Sequence, residues 1–229
     1  MADKKTALVL ASGGVDSTTC LALAVERYGA KQVIALSVAY GQRHEKELQA
    51  SERVSRHYGV EHLYVDMTKF FQYSDSPLLF HAGGKIPESS YAAQLATKKG
   101  PVATYVPFRN GLFLSGAASI ALSRGCIVLM YGAHADDAAG SAYPDCSVEF
   151  CEAMDLAIRM GTGNAIHLEA PFVRVSKAEV VRQGLALLVP YELTWSCYEG
   201  GVEPCGYCAT CRDRAAAFAA NGVKDPAII

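Results

Sequence analysis

Short apolar runs alternate with amphipathic segments along most of the chain, and this alternation restricts the fold more than any other feature. The apolar runs have the length of buried strands, and the segments between them have the apolar spacing of helices. Strand–helix–strand units of this kind form right-handed crossovers between parallel strands. We therefore expect an α/β fold, a Rossmann-like open parallel sheet with helices on both faces. The predicted strands are 6–11, 32–38, 61–66, 127–132 and 166–170, and the predicted helices are 17–28, 45–58, 110–123, 149–160 and 177–188.

Two segments interrupt this alternation. Residues 67–104 form a long stretch with Gly83, Gly84 and three prolines, which is typical of a functional lid or a partly ordered insertion. Pro190 begins a stretch rich in cysteine and glycine. We predict an α/β domain over residues 1–190 that contains the insertion, followed by a small metal-binding module over residues 191–229.

The composition favours a small-molecule substrate. The 229 residues are 51% hydrophobic and 19% charged, which is enough for a sizeable core. The net charge of −2 lacks the basic surplus of proteins that bind long nucleic acids, so we expect no stable nucleic-acid binding. With no run of 18 apolar residues and no signal-peptide pattern at residues 1–6, we expect a cytoplasmic protein without a membrane span. The oligomeric state stays open, a homodimer included.

A glycine-rich loop, Ser-Gly-Gly-Val-Asp-Ser at residues 12–17, lies between the first predicted strand and helix. Glycines permit a tight turn and a close backbone approach, and a helix N-terminus presents free N–H groups and a positive dipole end. A phosphate or pyrophosphate suits this place, although the Walker lysine is absent. Asp16 would repel that ligand unless a Mg²⁺ lay between them. The alternative is a plain strand–helix turn in which Asp16 or Ser17 caps the helix.

This loop resembles that of the pyrophosphate-loop ATPases, also called N-type ATP pyrophosphatases, which have an adenine nucleotide alpha hydrolase type of fold. The resemblance implies that the chain adenylates a carbonyl or carboxyl oxygen and releases pyrophosphate. Asparagine synthetases, GMP synthetases and tRNA-modifying enzymes share the loop, so it does not identify the substrate. The implied ATP-binding residues are Ala11, Ser12, Gly13, Gly14, Val15, Asp16, Ser17, Thr18, Thr19, Cys20 and Leu21.

Four cysteines, Cys197, Cys205, Cys208 and Cys211, lie within fifteen residues near the C-terminus. Four thiolates can complete a tetrahedral Zn²⁺ site with no open position, and such a site is structural. An iron–sulfur cluster is the alternative. We therefore predict a zinc-binding helical module at the C-terminus. Cys20 and Cys126 lie in apolar runs and are expected to be buried.

Several polar residues are candidate ligands because they follow predicted strands or begin predicted helices. Arg109 begins an apolar helix, where a cation opposes the helix dipole unless an anionic substrate group or an ATP phosphate lies nearby. A solvated arginine is the alternative. The other candidates follow strand ends or precede helices, and exposed loops, solvated acids or simple helix caps remain alternatives for them. These residues are Arg43, His44, Asn110, Asp136, Asp137 and Lys177.

Further motifs narrow the resemblance to one family, that of 7-cyano-7-deazaguanine synthase (preQ0 synthase, or QueC). They are Tyr40-Gly41-Gln42-Arg43-His44, Val106-Pro107-Phe108-Arg109-Asn110, Tyr143-Pro144-Asp145-Cys146 and Thr194-Trp195-Ser196-Cys197-Tyr198, together with the loop and the cysteines. The resemblance runs from about residue 6 to residue 220.

The resemblance implies an ATP- and Mg²⁺-dependent ligase that converts 7-carboxy-7-deazaguanine and ammonia to 7-cyano-7-deazaguanine in queuosine biosynthesis. It implies adenylation first of the carboxylate and then of the amide, with Asp16, Ser17 and Arg109 as catalytic residues and Asp145 among the substrate residues. An adenylating tRNA-modification enzyme or a non-catalytic nucleotide- and zinc-binding protein are the alternatives. The chain departs from the family at Phe108, where glycine is common, and around residues 136–147, which leaves a related 7-deazaguanine product open.

Overall fold

A computed structural model describes residues 5–89, 91–97 and 100–227, with residue 92 described by its backbone alone. Five parallel strands form one sheet in the order β3-β2-β1-β4-β5. The strand order reverses at β1, since β2 and β3 follow on one side of it and β4 and β5 lie on the other. The predicted parallel sheet is therefore confirmed. Its strands are β1 (Ala7–Leu10), β2 (Val33–Ala39), β3 (Glu61–Asp66), β4 (Val128–Met130) and β5 (His167–Glu169).

Both faces of the sheet are apolar because the three central strands carry hydrophobic residues at every position except Ser37. Successive side chains of a strand point to opposite faces. Leu8 and Ile34 accordingly enter one buried cluster, and Val9 and Ala35 enter the other. Each large aliphatic side chain fully buried in this way contributes about 1.5–3 kcal/mol to folding. A sheet with two apolar faces needs helices on both.

The helices supply this cover, as predicted. Helices α4 and α6 pack on the face that carries Leu8, and α1, α2 and α7 pack on the face that carries Val9. Among the described helices, none combines the length and the apolar character that crossing a bilayer requires. The α-helices are α1 (Val15–Tyr28), α2 (Lys46–Tyr58), α3 (Tyr91–Thr97), α4 (Arg109–Ser123), α5 (Ala135–Ala138), α6 (Val148–Gly161), α7 (Lys177–Ala186) and α8 (Ala209–Ala220).

The predicted insertion, residues 67–104, packs against the end of β2. The Phe80 N–H donates to the Gly41 carbonyl at 2.8 Å, and the Arg43 N–H donates to the Leu78 carbonyl at 3.1 Å. Leu79 is fully buried. The insertion contains α3 and two 3₁₀ turns, and its residues 90, 98 and 99 lie outside the described part of the chain. The insertion therefore covers the carboxyl edge of the sheet on the side of β2.

The C-terminal segment packs on the α/β body. Phe218 of α8 shares a buried cluster with Val15 of α1 and Val181 of α7. The backbone N–H of Trp195 donates to the Gly13 carbonyl at 2.9 Å, and this hydrogen bond joins the C-terminal segment to the glycine-rich loop. Because the two parts share a core, residue 190 marks a change of composition more clearly than a break in packing. The division into 1–190 and 191–229 stays a prediction, and residues 1–4 and 228–229, which it includes, lie outside the described residues.

Candidate active site and metal centre

The glycine-rich loop leads from the end of β1 directly into α1. Gly14 is the N-cap of α1, and no side chain caps this helix, which excludes the simple cap by Asp16 or Ser17. Ser17 instead accepts a hydrogen bond from the Ser12 N–H at 3.2 Å and its hydroxyl pairs with that of Ser12 at 2.9 Å. The first N–H groups of α1 therefore stay open to an anionic ligand.

Two glycines let neighbouring elements approach this loop closely. Gly13 has φ +81°, and a Cβ there would lie 2.5 Å from the Glu47 carbonyl oxygen and from the Ser51 nitrogen of α2. A Cβ on Gly132, just after β4, would lie 2.8 Å from the backbone of Asp16. Any larger residue at either position would push the loop away from α2 or β4.

A cavity of about 230 Å³ opens at the carboxyl ends of β1, β2 and β4. In an open α/β sheet, ligands bind at this edge, where the strand order reverses. Nine of the predicted site residues line the cavity, and they come from the loop, α4, α5 and α7. They are Ala11, Ser12, Gly14, Asp16, Ser17, Arg109, Asn110, Asp137 and Lys177.

The remaining predicted ATP-binding residues do not line this cavity. Gly13 is buried at the turn of the loop, and Val15 and Thr18 are buried at the start of α1. Thr19, Cys20 and Leu21 are fully buried in the core below α1. They support the helix that carries the loop, and a direct role for them in ATP binding stays a prediction.

Four of the predicted substrate residues also lie outside the cavity. The Arg43 guanidinium donates to the Gly84 carbonyl of the insertion, and the His44 ring lies 6.3 Å from the Trp195 ring. Asp136 accepts a hydrogen bond from the Lys177 N–H at 2.8 Å. Asp145 accepts one from the Asn110 N–H at 2.9 Å, at the start of α4. Each therefore has a structural role close to the site, and contact with a substrate stays a prediction.

A charged cluster lies beside the loop. Lys177 Nζ lies 2.7 Å from Asp16 Oδ2, and His134 Nε2 lies 3.3 Å from Asp137 Oδ2. Burial acts to raise the pKa of Asp16, but the charges of Lys177 and His134 outweigh it and lower that pKa from its ordinary value. Burial instead dominates at Asp137 and raises its pKa. Asp16 Oδ1 is buried and has no hydrogen-bond partner among the described residues, so this oxygen is free for a ligand.

Arg109 lies at the opposite side of the cavity. Its guanidinium lies 4.9 Å from the centre of the Tyr40 ring, and no described residue forms an ion pair with it. Burial raises the pKa of the nearby Glu47 to about 7, although Arg109 acts to lower it. Arg109 therefore offers an unpaired positive charge to an anionic ligand.

Arg109 follows a residue with a strained backbone. Phe108 has φ +54°, in the left-handed region that glycine adopts without strain. The glycine that is common in the family at this position would adopt this conformation without strain, whereas Phe108 adopts it at a cost in backbone strain.

Several residues that line the cavity were not predicted as site residues. Tyr40, Trp195 and Tyr198 lie within the motifs that carried the resemblance, so a signal for them was present. Glu47 and Asp213 line the cavity from α2 and α8, and nothing in their local sequence singles them out. Their presence depends on helix orientation, which a single sequence does not give.

The four cysteines converge as predicted. Their sulfur atoms all lie within 4.8 Å of one another, and Cys205 Sγ is 3.9 Å from Cys211 Sγ. Zinc–sulfur bonds of 2.3 Å in a tetrahedron place sulfurs about 3.8 Å apart. The Cys205 N–H donates to Cys197 Sγ and the Cys208 N–H to Cys205 Sγ, which favours thiolates. The group therefore fits one tetrahedral metal ion. Cys20 and Cys126 are buried elsewhere, as expected.

Two solved structures share the fold at low sequence identity. The NMN synthetase from Francisella tularensis is 16% identical, with a TM-score of 0.51, and the match covers 97% of this chain and 79% of that one. The U34-tRNA thiolase NcsA from Methanococcus maripaludis, described with its [4Fe-4S] cluster, is 17% identical. Its TM-score is also 0.51, over 96% of this chain and 66% of that one.

Curated relatives are much closer in sequence. The 7-cyano-7-deazaguanine synthase of Archaeoglobus fulgidus is 42% identical over 96% of this chain and 88% of its own length. That of Porphyromonas gingivalis is 40% identical over 99% of this chain and 98% of its own. The model of the family described as "Queuosine biosynthesis protein QueC" matches residues 6–222. The chain therefore belongs to the QueC family.

Proposed function

We propose that this chain is an ATP-dependent ligase that makes 7-cyano-7-deazaguanine from 7-carboxy-7-deazaguanine and ammonia, for queuosine biosynthesis. The observation that carries this proposal is the uncapped N-terminus of α1 behind Ser12 and Gly14, which opens into the cavity opposite the unpaired Arg109. This arrangement offers one place for phosphates and a separate positive charge for the group that is activated. The relatives named above direct the choice of substrate.

The loop side of the cavity suits the phosphates of ATP. Backbone N–H groups at a helix start bind phosphate oxygens, and Lys177 adds a positive charge. The free Oδ1 of Asp16 suits a Mg²⁺, which prefers carboxylate oxygens and also binds phosphates. We infer that Asp16 holds this ion and that Ser17 shapes the loop through its bonds to Ser12. When bound, Mg²⁺ neutralises the charge of the phosphates.

The opposite side of the cavity suits a planar acid. Phe113, Tyr131 and Tyr198 supply aromatic surface, and Arg109 supplies a donor for a carboxylate. Asn110 lines the cavity next to Arg109. We infer that the deazapurine ring lies among the aromatic residues and that its carboxylate points toward Arg109 and the loop.

Each ATP would activate one oxygen as a leaving group. In the first step the substrate carboxylate attacks the α-phosphorus of ATP, and pyrophosphate leaves. Ammonia then forms the C–N bond, the C–O bond to AMP breaks, and a proton is released, which gives the amide. In the second step the amide oxygen attacks the α-phosphorus of another ATP, and pyrophosphate leaves. Loss of AMP and of the remaining N–H protons leaves the nitrile. Residues that position the attacking oxygen near the α-phosphorus, and that stabilise the charge that develops there, serve both steps.

We propose that the cysteine cluster holds structural Zn²⁺. Four sulfurs this close fit a single ion, whereas in a four-iron cluster each cysteine binds a different iron and the sulfurs lie farther apart. Four thiolates leave no open position for water or substrate, so no chemical step belongs to this ion. It would order the segment that contributes Trp195, Ser196 and Tyr198 to the cavity.

Other features of the proposal rest on the sequence. A cytoplasmic location, the lack of stable nucleic-acid binding and a homodimer stay predictions. An adenylating tRNA-modification enzyme and a non-catalytic nucleotide-binding protein, the alternatives that the sequence allows, differ from this function in the products that they would form.

The test is to incubate the protein with ATP, Mg²⁺, ammonium and 7-carboxy-7-deazaguanine, and to identify the products by mass spectrometry. We expect the nitrile, with AMP and pyrophosphate. Release of ADP and phosphate would contradict the proposed role of the loop. Pyrophosphate release only with tRNA would favour the tRNA-modification alternative, and no ATP consumption under any condition would favour the non-catalytic one.

A further inference from the structure

A second cavity, of about 610 Å³, lies beside the first. The two cavities share four residues, Tyr91, Asp137, Lys177 and Asp213. Ala216 and Ala220 of α8 also line the second cavity, and both are exposed. The second cavity therefore extends from the surface at α8 to side chains that also line the charged end of the reaction site.

The charges of this second cavity favour a cation. Its lining includes the carboxylates of Asp136, Asp137 and Asp213. The basic side chains described in this lining are Lys177, which is paired with Asp16 at 2.7 Å, and His134, which lies 3.3 Å from Asp137, so Asp213 has no basic partner there. A site with surplus negative charge attracts small cations and repels phosphates. The second cavity is therefore unsuited to ATP or pyrophosphate, although it adjoins the cavity that suits them.

Two polar groups at the junction lack partners. Asp213 forms no hydrogen bond or ion pair with any residue that the structure describes. His134 is 2% exposed and lines the second cavity, and its Nδ1 has no hydrogen-bond partner in the described part of the chain. A buried nitrogen without a partner is costly, which points to a small polar ligand beside it.

We propose that the second cavity admits ammonium to the reaction site, where Asp137 and Asp213 hold the cation beside the acid that is to be activated. The inference rests on the proposed function, which requires ammonia as the second substrate. A cation of this size needs only a narrow path, and the alanine side chains of α8 keep the path open.

The protons and electrons of this step balance without another reactant. Ammonium gives one proton to Asp137 and becomes ammonia, whose lone pair forms the C–N bond to the adenylated carboxyl carbon. The C–O bond to AMP breaks, and its electron pair leaves with AMP. A second proton passes from the new C–N group to water. Asp137 then returns its own proton to solvent before the next cycle.

The two halves of the reaction supply an internal control. Formation of the amide consumes ammonia, whereas conversion of the amide to the nitrile does not. We would measure each half separately, with 7-carboxy-7-deazaguanine and varied ammonium chloride in one assay and with the 7-amide in the other. Asp213→Asn removes the charge, and Ala216→Leu narrows the path. Ala215→Leu is the matched control, because Ala215 is exposed on the same helix and does not line the cavity.

We expect Asp213→Asn and Ala216→Leu each to raise the KM for ammonium by about tenfold, and Ala216→Leu to leave the KM for ATP unchanged. Conversion of the amide to the nitrile should stay at the wild-type rate in Ala216→Leu, and Ala215→Leu should match wild type in both assays. Metal content and melting temperature, measured for each variant, identify any loss of folding.

Three results would overturn the inference or its basis. An unchanged ammonium KM in both variants would exclude the second cavity as the entry path. An equal loss in both half-reactions of Ala216→Leu would mean that this change disturbs the shared reaction site and not the entry of ammonium. A wild-type protein that converts neither the acid nor the amide would instead refute the proposed function itself, and the inference would fall with it.

Discussion

Replacement of Asp16 by alanine tests both the ion pair and the proposed Mg²⁺ site. Asp16 Oδ2 lies 2.7 Å from Lys177 Nζ, and the two side chains are 21% and 12% exposed. We expect Asp16→Ala to abolish turnover, because the proposed Mg²⁺ loses its ligand beside the phosphates. The protein should still fold, because the expected loss of stability, about 2 kcal/mol, is smaller than the free energy of unfolding of an ordinary domain.

The expected loss of stability follows from the environment of the pair. Removing one partner of a fully buried pair costs about 3–5 kcal/mol, and an exposed pair contributes about 0–1 kcal/mol. The Asp16–Lys177 pair is mostly but not fully buried, and Asp137 remains to stabilise the charge of Lys177. We therefore expect a loss of about 2 kcal/mol, or about 4–8 °C in melting temperature for a chain of this length.

The stability that the Asp16–Lys177 pair contributes depends on pH in a direction that follows from the two pKa shifts. The pKa of Asp16 is lowered from 3.8 in the folded protein. The ionised carboxylate therefore stabilises the fold above about pH 3.8, and this stabilisation is lost as the pH falls through the lower pKa of the folded state. Burial acts to lower the pKa of Lys177, but Asp16 and Asp137 raise it above 10.5. Its contribution is therefore lost only as the pH rises through that higher value. At neutral pH, where both groups are charged, the Asp16–Lys177 pair should therefore contribute its full amount to the free energy of unfolding.

The assays are pyrophosphate release and thermal melting, with Asp16→Asn to preserve volume and Asp75→Ala as a matched control. Asp75 is exposed and lies outside both cavities. We expect Asp16→Asn to be inactive and Asp75→Ala to behave like wild type. Wild-type turnover in Asp16→Ala would remove Asp16 from the mechanism, and an unchanged melting temperature would mean that the ion pair contributes nothing.

Three further predictions concern the metal centre, the backbone at Phe108 and the buried ion pair between Arg214 and Asp225. Cys208→Ser should lower zinc content and melting temperature together, as measured by elemental analysis and a melting curve. The control variant Cys126→Ser should keep its zinc. Iron and sulfide in the wild-type protein would show that the cysteines hold an iron–sulfur cluster and not zinc. Phe108→Gly should be more stable than Phe108→Ala by about 1 kcal/mol in denaturant unfolding, since only glycine adopts φ +54° without strain, and equal stabilities would exclude that strain. Arg214 Nε lies 2.6 Å from Asp225 Oδ2, and both side chains are buried. Asp225→Ala should therefore lower the free energy of unfolding by about 3–5 kcal/mol in the same assay, because it leaves the charge of Arg214 buried and unpaired, and a loss below about 1 kcal/mol would contradict this.

The sheet could be predicted from the sequence because its strands are continuous apolar runs. Residues 61–66 were predicted with the bounds that the structure has, and β4 and β5 are shorter than predicted. The apolar run around β4 extends past the paired residues, because Ile127 is apolar although it is half exposed, and the β4 ladder covers residues 128–130. Apolar character alone therefore does not show where the pairing with a neighbouring strand begins and ends.

The local parts of the site were also predictable. The glycine-rich loop and the cysteine cluster each lie within one short stretch, so spacing along the chain already implies proximity. Asp16, Lys177 and Asp213 lie far apart in sequence and meet only because the sheet and α8 bring their helices together. Arg43 and His44 follow β2 as predicted, but they lie beside the insertion and Trp195, outside the cavity. Their positions also depend on contacts with distant parts of the chain, which local sequence does not show.

The hydrogen bond from the Trp195 N–H to the Gly13 carbonyl limits which parts of this chain can be exchanged with a relative. A chimaera joined at residue 190 would receive its loop from one parent and the residue that holds the loop from the other. The same junction would separate Thr19 of α1 from Tyr191, whose hydroxyl groups lie 2.8 Å apart. The loop and the cysteine-rich segment lie about 180 residues apart in sequence, yet each is held in place by the other. Recombination that preserves activity should therefore take both from the same parent.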